Sequence, residues 1–375
     1  MTRRLYPARL AGTVTAPPSK SAWHRALICR FLAGQPLPER VSGDDVKHTL
    51  AGLRALESGA PLIDCGDSGA TLRFLLPLAM ALGRRDTLFA GTPRLLERPL
   101  SAPYPVERTE RGYRAAAPLT PGRYALRGDE TSQTVSALLM ALPLLDAPSR
   151  LVLTTPLVSR PYVDMTLDAL RRHGVTAEET ADGWRIPAPQ SFRADDGPIE
   201  GDWSAAGWWL TVDALQGGGI TVEGLSPESR QSDRAIVDYL QRLPETADVS
   251  QTPDLLPTLA LLAAMTPQTT RFTGGAFLRR KESDRLRTTA AVLSALGAEV
   301  REQPDGLTVT GGTPLRGGVT VDAFGDHRIA MLCACGALFC AQPVTLRGGD
   351  CVSKSYEDFW RDYAALGGKV EELTE

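Results

Sequence analysis

The chain has 375 residues, 43% of them hydrophobic and 23% charged, with 41 basic against 44 acidic side chains and a formal net charge of −3. That length exceeds one ordinary core, so two domains are expected, and the composition excludes a disordered or low-complexity protein. The charge balance excludes a protein built to coat nucleic acid, so any basic feature must be local.

The first residues, "MTRRLYPARLAGTV", lack the apolar stretch of a secretory signal. The longest apolar run, Ile329 to Ala341, falls short of the roughly 18 residues a spanning helix needs. A soluble, cytoplasmic protein is therefore expected. The six cysteines, Cys29, Cys65, Cys333, Cys335, Cys340 and Cys351, form no CxxC pair, and there are four histidines. Buried thiols in a reducing compartment are expected, rather than a zinc site or a disulfide framework.

Along the chain a short turn recurs just before an apolar helical pattern. The instances are "PPSKSAWHRALICRFL" at Pro17, "CGDSGATLRFLLPLAMAL" at Cys65, "RGDETSQTVSALLMALPLL" at Arg127, "EGDWSAAGWWLTVDAL" at Glu200, "TPDLLPTLALLAAM" at Thr252 and "FGDHRIAMLCACGALF" at Phe324. An Asp or Ser able to cap a helix stands at each, with Lys20, Asp67, Asp129, Asp202, Asp254 and Asp326 as markers 47 to 73 residues apart. Short β-branched strands closed by Gly-rich turns, such as "GGITVEGL" and "DGLTVTGG", lie between them. The pattern of turn, helix and strands repeated six times predicts an α/β protein of two domains with three units each. Each helix start presents unpaired N–H groups and a partial positive charge, which suits an anion.

The charged candidates follow in the same order. Lys20, Ser21 and Arg25 lie within a turn and a half, where they could grip a phosphate and a carboxylate. Gly69 opens a helix, where a missing side chain lets an anion reach the backbone. Arg98 precedes Pro99 and is expected to be extended. Thr131, Ser132, Gln133, Ser159 and Tyr162 are neutral donors suited to hydroxyls and phosphate oxygens. Asp254 is the only acidic residue ahead of a strongly apolar helix: buried there, its pKa would be raised and it could act as a base, or it could simply cap the helix. In "RRKESDR", Arg279 and Arg280 suit a solvated face, whereas a helical turn would aim Lys281 and Arg285 at the same anions beside Glu282. Arg328 in "GDHR" and Lys354 in "VSKSYEDFW" complete a set of at least seven cations in an acidic protein, about what a substrate pair with several phosphate and carboxylate charges needs.

"PPSKSAWHRAL", "GDSGATLRF", "ERPL", "TSQTVSALLMALPLL", "VSRPYVDMTLDALRRHGV", "PDLLPTLALLA", "RRKESDRL", "GDHRIAM" and "VSKSYEDF" occur in the order found in the 5-enolpyruvylshikimate-3-phosphate synthase family, which the chain resembles from about Ala16 to Phe359. The resemblance implies two pseudo-symmetric domains, each of three βαβαββ repeats, with the active site in the interdomain cleft. One domain would be residues 18–201, and the other 1–17 with 202–375, joined at a hinge that Pro17 and Pro18 stiffen. The implied reaction transfers the enolpyruvyl group of phosphoenolpyruvate to the 5-hydroxyl of shikimate 3-phosphate and releases phosphate. No cofactor or metal is implied, the partners are the two small substrates, and a monomer that binds neither nucleic acid nor membrane is expected.

By motif, the resemblance makes Asp254 the base, Glu282 the proton donor and Lys20 a catalytic ligand of both substrates. Ser21, Arg25, Thr131, Ser132, Gln133, Ser159, Tyr162, Asp254 and Lys281 would hold shikimate 3-phosphate. Gly69, Arg98, Gln133, Arg285, Arg328 and Lys354 would hold phosphoenolpyruvate. The chain departs from the family at Asp67 and Ala70, where Asn and Thr are usual, and at Phe277, where an Asn ligand often sits; the altered Gly69–Ala70 environment is expected to change sensitivity to glyphosate. Two competing readings are enolpyruvyl transfer to a UDP-sugar, which Lys20–Ser21 and "KESDR" disfavour, and a non-catalytic anion-binding or RNA-end-binding protein, which Asp254 and Glu282 disfavour.

Overall fold

In the computed structural model, which describes residues 1–84, 86–100 and 102–373, the chain opens with two short strands, β1 (Thr2–Leu5) and β2 (Gly12–Thr15). Residues Ser19–Ile199 then form one unit, and Met1–Pro18 with Glu200–Glu375 form the other.

The Ser19–Ile199 unit begins with α1 (Lys20–Leu32) and α2 (Asp44–Ser58). A first run follows as β3 (Leu62–Asp64), α3 (Gly69–Ala81), β4 (Leu88–Ala90), α4 (Pro93–Glu97), β5 (Val106–Thr109) and β6 (Gly112–Ala115). A second repeats it as β7 (Arg123–Leu126), α5 (Ser132–Ala141), β8 (Ser149–Leu153), α6 (Arg160–Arg172), β9 (Glu178–Thr180) and β10 (Gly183–Ile186). The two sheets have the same order, β3-β4-β6-β5 and β7-β8-β10-β9, with the first pair parallel and the rest antiparallel. Helices α3 and α5 are apolar on nearly every side, and Leu72, Phe74, Leu75, Leu76 and Leu78 are buried with Val135, Leu138, Leu139 and Met140 in one core. A helix without a polar face must sit inside, and each fully buried Leu contributes about 1.5–3 kcal/mol.

The other unit continues with α7 (Trp203–Gln216), β11 (Ile220–Glu223) and α8 (Ile236–Gln241). Its first full run is β12 (Thr246–Asp248), α9 (Leu256–Met265), β13 (Thr269–Thr273), α10 (Arg285–Leu296), β14 (Glu299–Gln303) and β15 (Gly306–Thr310). The last is β16 (Thr320–Asp322), α11 (His327–Ala337), β17 (Val344–Arg347), α12 (Phe359–Ala365) and β18 (Val370–Leu373). These give the sheets β12-β13-β15-β14 and β16-β17-β1-β18, while β2 pairs in parallel with β11. Three runs are thus continuous βαβαββ units, and the fourth takes its missing strand, β1, from the start of the chain.

One glycine marks the repeat. A Cβ at Gly112 would lie 1.8 Å from the Phe89 carbonyl oxygen, at Gly183 2.1 Å from that of Leu151, and at Gly306 1.8 Å from that of Phe272. Each opens the last strand of its run, where the hairpin crosses the neighbouring strand too closely for a side chain.

Candidate active site

In the Ser19–Ile199 unit, Ser19 caps α1 by accepting from the Ala22 N–H, which leaves Lys20 and Ser21 in the first turn. Lys20 Nζ donates to Asp45 Oδ2 at 2.9 Å, both side chains being largely buried. Arg25, also buried, spends its donors on the protein: Nε on Thr166 Oγ1 at 2.7 Å, Nη1 on the Ser21 carbonyl at 2.6 Å and Nη2 on the Tyr162 carbonyl at 2.6 Å. Burial pushes its pKa down to about 10, so it stays charged near neutrality. In this geometry Arg25 braces α1 against α6 and brings Ser21 and Tyr162 together.

Gly69 is the first residue of α3, and Ser68 caps that helix by accepting from the Thr71 N–H. A Cβ at Gly69 would lie 2.5 Å from Arg73 Nη1 and 3.0 Å from Arg98 Nη2. Two guanidinium groups therefore crowd the α3 start, and a side chain at position 69 would displace them. Arg73 Nη1 also donates to Gln133 Oε1 at 3.1 Å, and Nη2 to the Pro99 carbonyl at 2.6 Å. Arg98 has the extended backbone expected of it, φ −76° and ψ 136°. Gly69, Arg98 and Gln133 thus gather around Arg73, which sequence reasoning missed. Its signal was present: it is the one charge in an otherwise apolar helix, one turn after Gly69.

At the start of α5, Thr131 caps the helix through the Gln133 N–H, with Ser132 buried as the first residue. Ser159 precedes α6 with φ 56° and ψ 38°. A non-glycine residue held there costs on the order of 1–3 kcal/mol, and such strain concentrates where side chains are aimed for function.

In the other unit one side chain organises the cluster. Arg285, 1% exposed, donates to Asp254 Oδ1 at 2.8 Å, to Glu282 Oε2 at 2.5 Å and, through Nε, to Asp326 Oδ2 at 3.1 Å. Arg328, at the start of α11, donates through Nη2 to Asp254 Oδ2 at 2.6 Å and through Nη1 to Ser204 Oγ. Asp326 caps α11 and also accepts from Ser283 Oγ at 3.0 Å, joining the "KESDR" turn to that helix. Lys354 ends the 3₁₀ segment Gly349–Lys354, and its Nζ donates to the Gly325 carbonyl at 3.0 Å. Asp254, Glu282, Arg285 and Arg328 therefore meet, the charge of Lys281 acts on Asp254, and Lys354 joins the turn before α11.

Several expectations need correction. Asp254 does not cap a helix; it lies in the 3₁₀ turn Pro253–Leu255, ahead of α9. Nor is its pKa raised: burial works in that direction, but the charges of Arg328, Arg285 and Lys281 outweigh it and hold the carboxyl well below the usual carboxylate range. The cap at α3 is a Ser, Ser68, as expected, whereas that at α5 is Thr131 rather than an Asp or Ser. Lys281 and Arg285 do not share a helical turn, because Asp284 caps α10 and Arg285 is its first residue. Arg279 is no solvated charge: it pairs with Asp284 at 2.9 Å and Glu302 at 2.6 Å. Sequence reasoning also missed Asp45 and Ser204, whose partners are too distant in the chain to leave a local signal.

The statistical model of one protein family, EPSP synthase (3-phosphoshikimate 1-carboxyvinyltransferase), matches residues 56–247 and 241–363. The chain is 39% identical to the 3-phosphoshikimate 1-carboxyvinyltransferase of Clostridium kluyveri, over 98% of this chain and 97% of the relative. It is 35% identical to that of Clostridium acetobutylicum, over 98% of each. Its fold is similar to that of EPSP synthase from Acinetobacter baumannii, with a TM-score of 0.75 at 20% identity over 99% of this chain and 100% of that one. The enolpyruvyl transferase NikO from Streptomyces tendae gives 0.73 at 18% identity, over 99% and 98%. At those identities the structural likeness shows the α/β fold alone.

Proposed function

The chain belongs to the EPSP synthase family, the 3-phosphoshikimate 1-carboxyvinyltransferases, and from that premise we propose how its residues divide the work of the family's reaction. It transfers the enolpyruvyl group of phosphoenolpyruvate to the 5-hydroxyl of shikimate 3-phosphate and releases phosphate. The observation that carries the assignment of roles is the pair of carboxylates, Asp254 and Glu282, on the single guanidinium of Arg285, with Arg328 on Asp254 as well. A pure anion binder gains nothing from placing two negative charges among its cations.

Asp254 takes the proton of the 5-hydroxyl, and the oxygen attacks C2 of phosphoenolpyruvate. Glu282, which takes up a proton as the substrates bind, delivers it to the methylene carbon, giving a tetrahedral adduct that carries phosphate and carboxylate. The Glu282 carboxylate then takes a proton back from the new methyl group as the C–O bond to phosphate breaks, which restores the double bond, and the proton gained by Asp254 leaves on the phosphate. The cations stabilise charge that grows in the adduct. The low pKa of Asp254 makes it a weak base while it faces Arg328, Arg285 and Lys281. An entering phosphate and carboxylate offset those charges and raise its basicity, so the substrate itself readies the base.

The Ser19–Ile199 unit carries most contacts to shikimate 3-phosphate, through Lys20, Ser21, Thr131, Ser132, Gln133, Ser159 and Tyr162, with Arg25 as their brace. The unit of Met1–Pro18 and Glu200–Glu375 carries the base, the proton donor and Lys281. Arg328 and Lys354 there, and Gly69 and Arg98 in the former, hold phosphoenolpyruvate. Arg285 acts mainly by aligning the two carboxylates, since its donors already serve both of them and Asp326. Among the described residues no helix is long and apolar enough to cross a membrane, and the reading is of a monomer acting in the cytoplasm, which sedimentation and cell fractionation test.

The deciding assay is phosphate release with both substrates and with each omitted. Release requiring both is expected; release that persists without shikimate 3-phosphate defeats the reading.

A further inference from the structure

Phe277 lies in the 3₁₀ segment Ala276–Arg280 and is only 6% exposed. Four residues on, the chain folds back with the Lys281 N–H on the Leu278 carbonyl at 3.3 Å, and Lys281 Nζ stands 5.4 Å from the Phe277 ring centroid. Arg279 pins the turn, donating to Asp284, Glu302 and the carbonyls of Gln303 and Pro304. A buried ring on a pinned turn is a fixed surface for the ammonium.

Arg285 and Arg328 are held by carboxylate oxygens, and the Lys281 charge also acts on Asp254; the Phe277 ring is a further contact of a different kind. A ring face attracts an ammonium through its quadrupole without accepting one of its three hydrogen bonds. We propose that Phe277 is a positioning residue for Lys281, holding the ammonium over its π-face so that the N–H donors stay directed at the anionic acceptor substrate, and that it thereby sets the affinity for that substrate. The proposal rests on Lys281 being a substrate ligand, as assigned above.

Phe277→Leu keeps an apolar side chain in the same pocket and removes the π-face. Mono-, di- and trifluorinated phenylalanine at position 277 keep the ring's shape and weaken its negative face in steps. KM for shikimate 3-phosphate is expected to rise with each fluorine and to reach roughly five- to thirtyfold in Phe277→Leu, the span of a partly desolvated cation–π contact. The turnover number and the melting temperature of the fluorinated series stay at the parent values. A flat KM across the fluorinated series overturns the proposal, even if Phe277→Leu is impaired, because packing alone would then explain the ring.

A second measurement does not depend on activity. The lysines are Lys20, Lys47, Lys281, Lys354 and Lys369, so reductive methylation with carbon-13 formaldehyde gives a short set of dimethylammonium signals. The one that disappears in Lys281→Arg should be shifted upfield by the ring and return to the common position in Phe277→Leu. An unshifted signal in the parent overturns the contact. A parent that shows the shift but no phosphate release overturns the functional reading instead.

Discussion

Replacing Arg285 by Met removes the one guanidinium that Asp254, Glu282 and Asp326 share. Asp254 keeps Arg328 and Asp326 keeps the α11 N–H groups and Ser283, so the three carboxylates are weakened but not all stranded. Breaking a buried pair by removing one partner costs about 3–5 kcal/mol, because charge is left in a poor solvent. At roughly 2–4 °C per kcal/mol for a unit of this size, the melting temperature of the Met1–Pro18 and Glu200–Glu375 unit should fall by about 6–20 °C at neutral pH. The pH dependence gives a sharper readout. Asp254 titrates lower in the folded protein than unfolded, so its stabilisation is present above the unfolded pKa and drains away as pH falls toward the folded one. Without Arg285 that gap narrows. The variant should therefore start lower at neutral pH and lose less between about pH 6 and pH 3 than the parent does. Thermal unfolding followed by circular dichroism over that range measures both. Parallel curves for parent and variant, or equal melting temperatures at neutral pH, would refute the idea that Arg285 is what holds Asp254 ionised.

The remaining outcomes concern activity. Asp254→Asn and Glu282→Gln should each lower turnover by roughly 10²–10⁴ in steady-state phosphate release while circular dichroism shows the fold retained, and near-normal turnover removes that residue from its role. Gly69→Ala places a Cβ 2.5 Å from Arg73 Nη1; KM for phosphoenolpyruvate should rise at least about tenfold, although alanine favours the helix by up to about 1 kcal/mol, so a normal KM disproves the crowding. Asp45→Asn takes away the partner of Lys20, and isothermal titration with shikimate 3-phosphate should then show affinity reduced by about tenfold, the effect of losing one charge-assisted contact. Inhibition constants for glyphosate should differ between the parent and Ala70→Thr, and equal values would show that the residue after Gly69 does not matter.

What could be read from the sequence was local. Five of the six helix starts carry a capping Ser, Thr or Asp within two residues of the turn, because a cap acts on N–H groups next to it. The turn at Gly306 was legible in "DGLTVTGG", whereas the matching roles of Gly112 and Gly183 emerged only from the close strand crossing in the structure. Sheet order could not be read, since β1 pairs with strands near the other end of the chain. In the site, Asp254 and Glu282 stood out as carboxylates among cations, yet the ionisation of Asp254 depends on Arg285 and Arg328, 31 and 74 residues away. Burial of one group was legible; the charges that would surround it were not. The phase of "RRKESDR" was misread for a smaller reason: Asp284 begins the helix four residues later than the charge pattern suggests.

Strand β1 also governs the order in which the protein can assemble as it leaves the ribosome. Thr2 pairs with Arg347 on one side and Leu373 on the other, so β1 waits unpaired until β17 and β18, far later in the chain, arrive. The Ser19–Ile199 unit has all its partners within one continuous stretch and can fold meanwhile. An unpaired strand is an open edge for association with other chains. A permuted chain that starts at Glu200, links residue 375 to Met1 and ends at Ile199 makes both units continuous. It should refold faster in stopped-flow experiments and aggregate less, because its strand pairs close shorter loops.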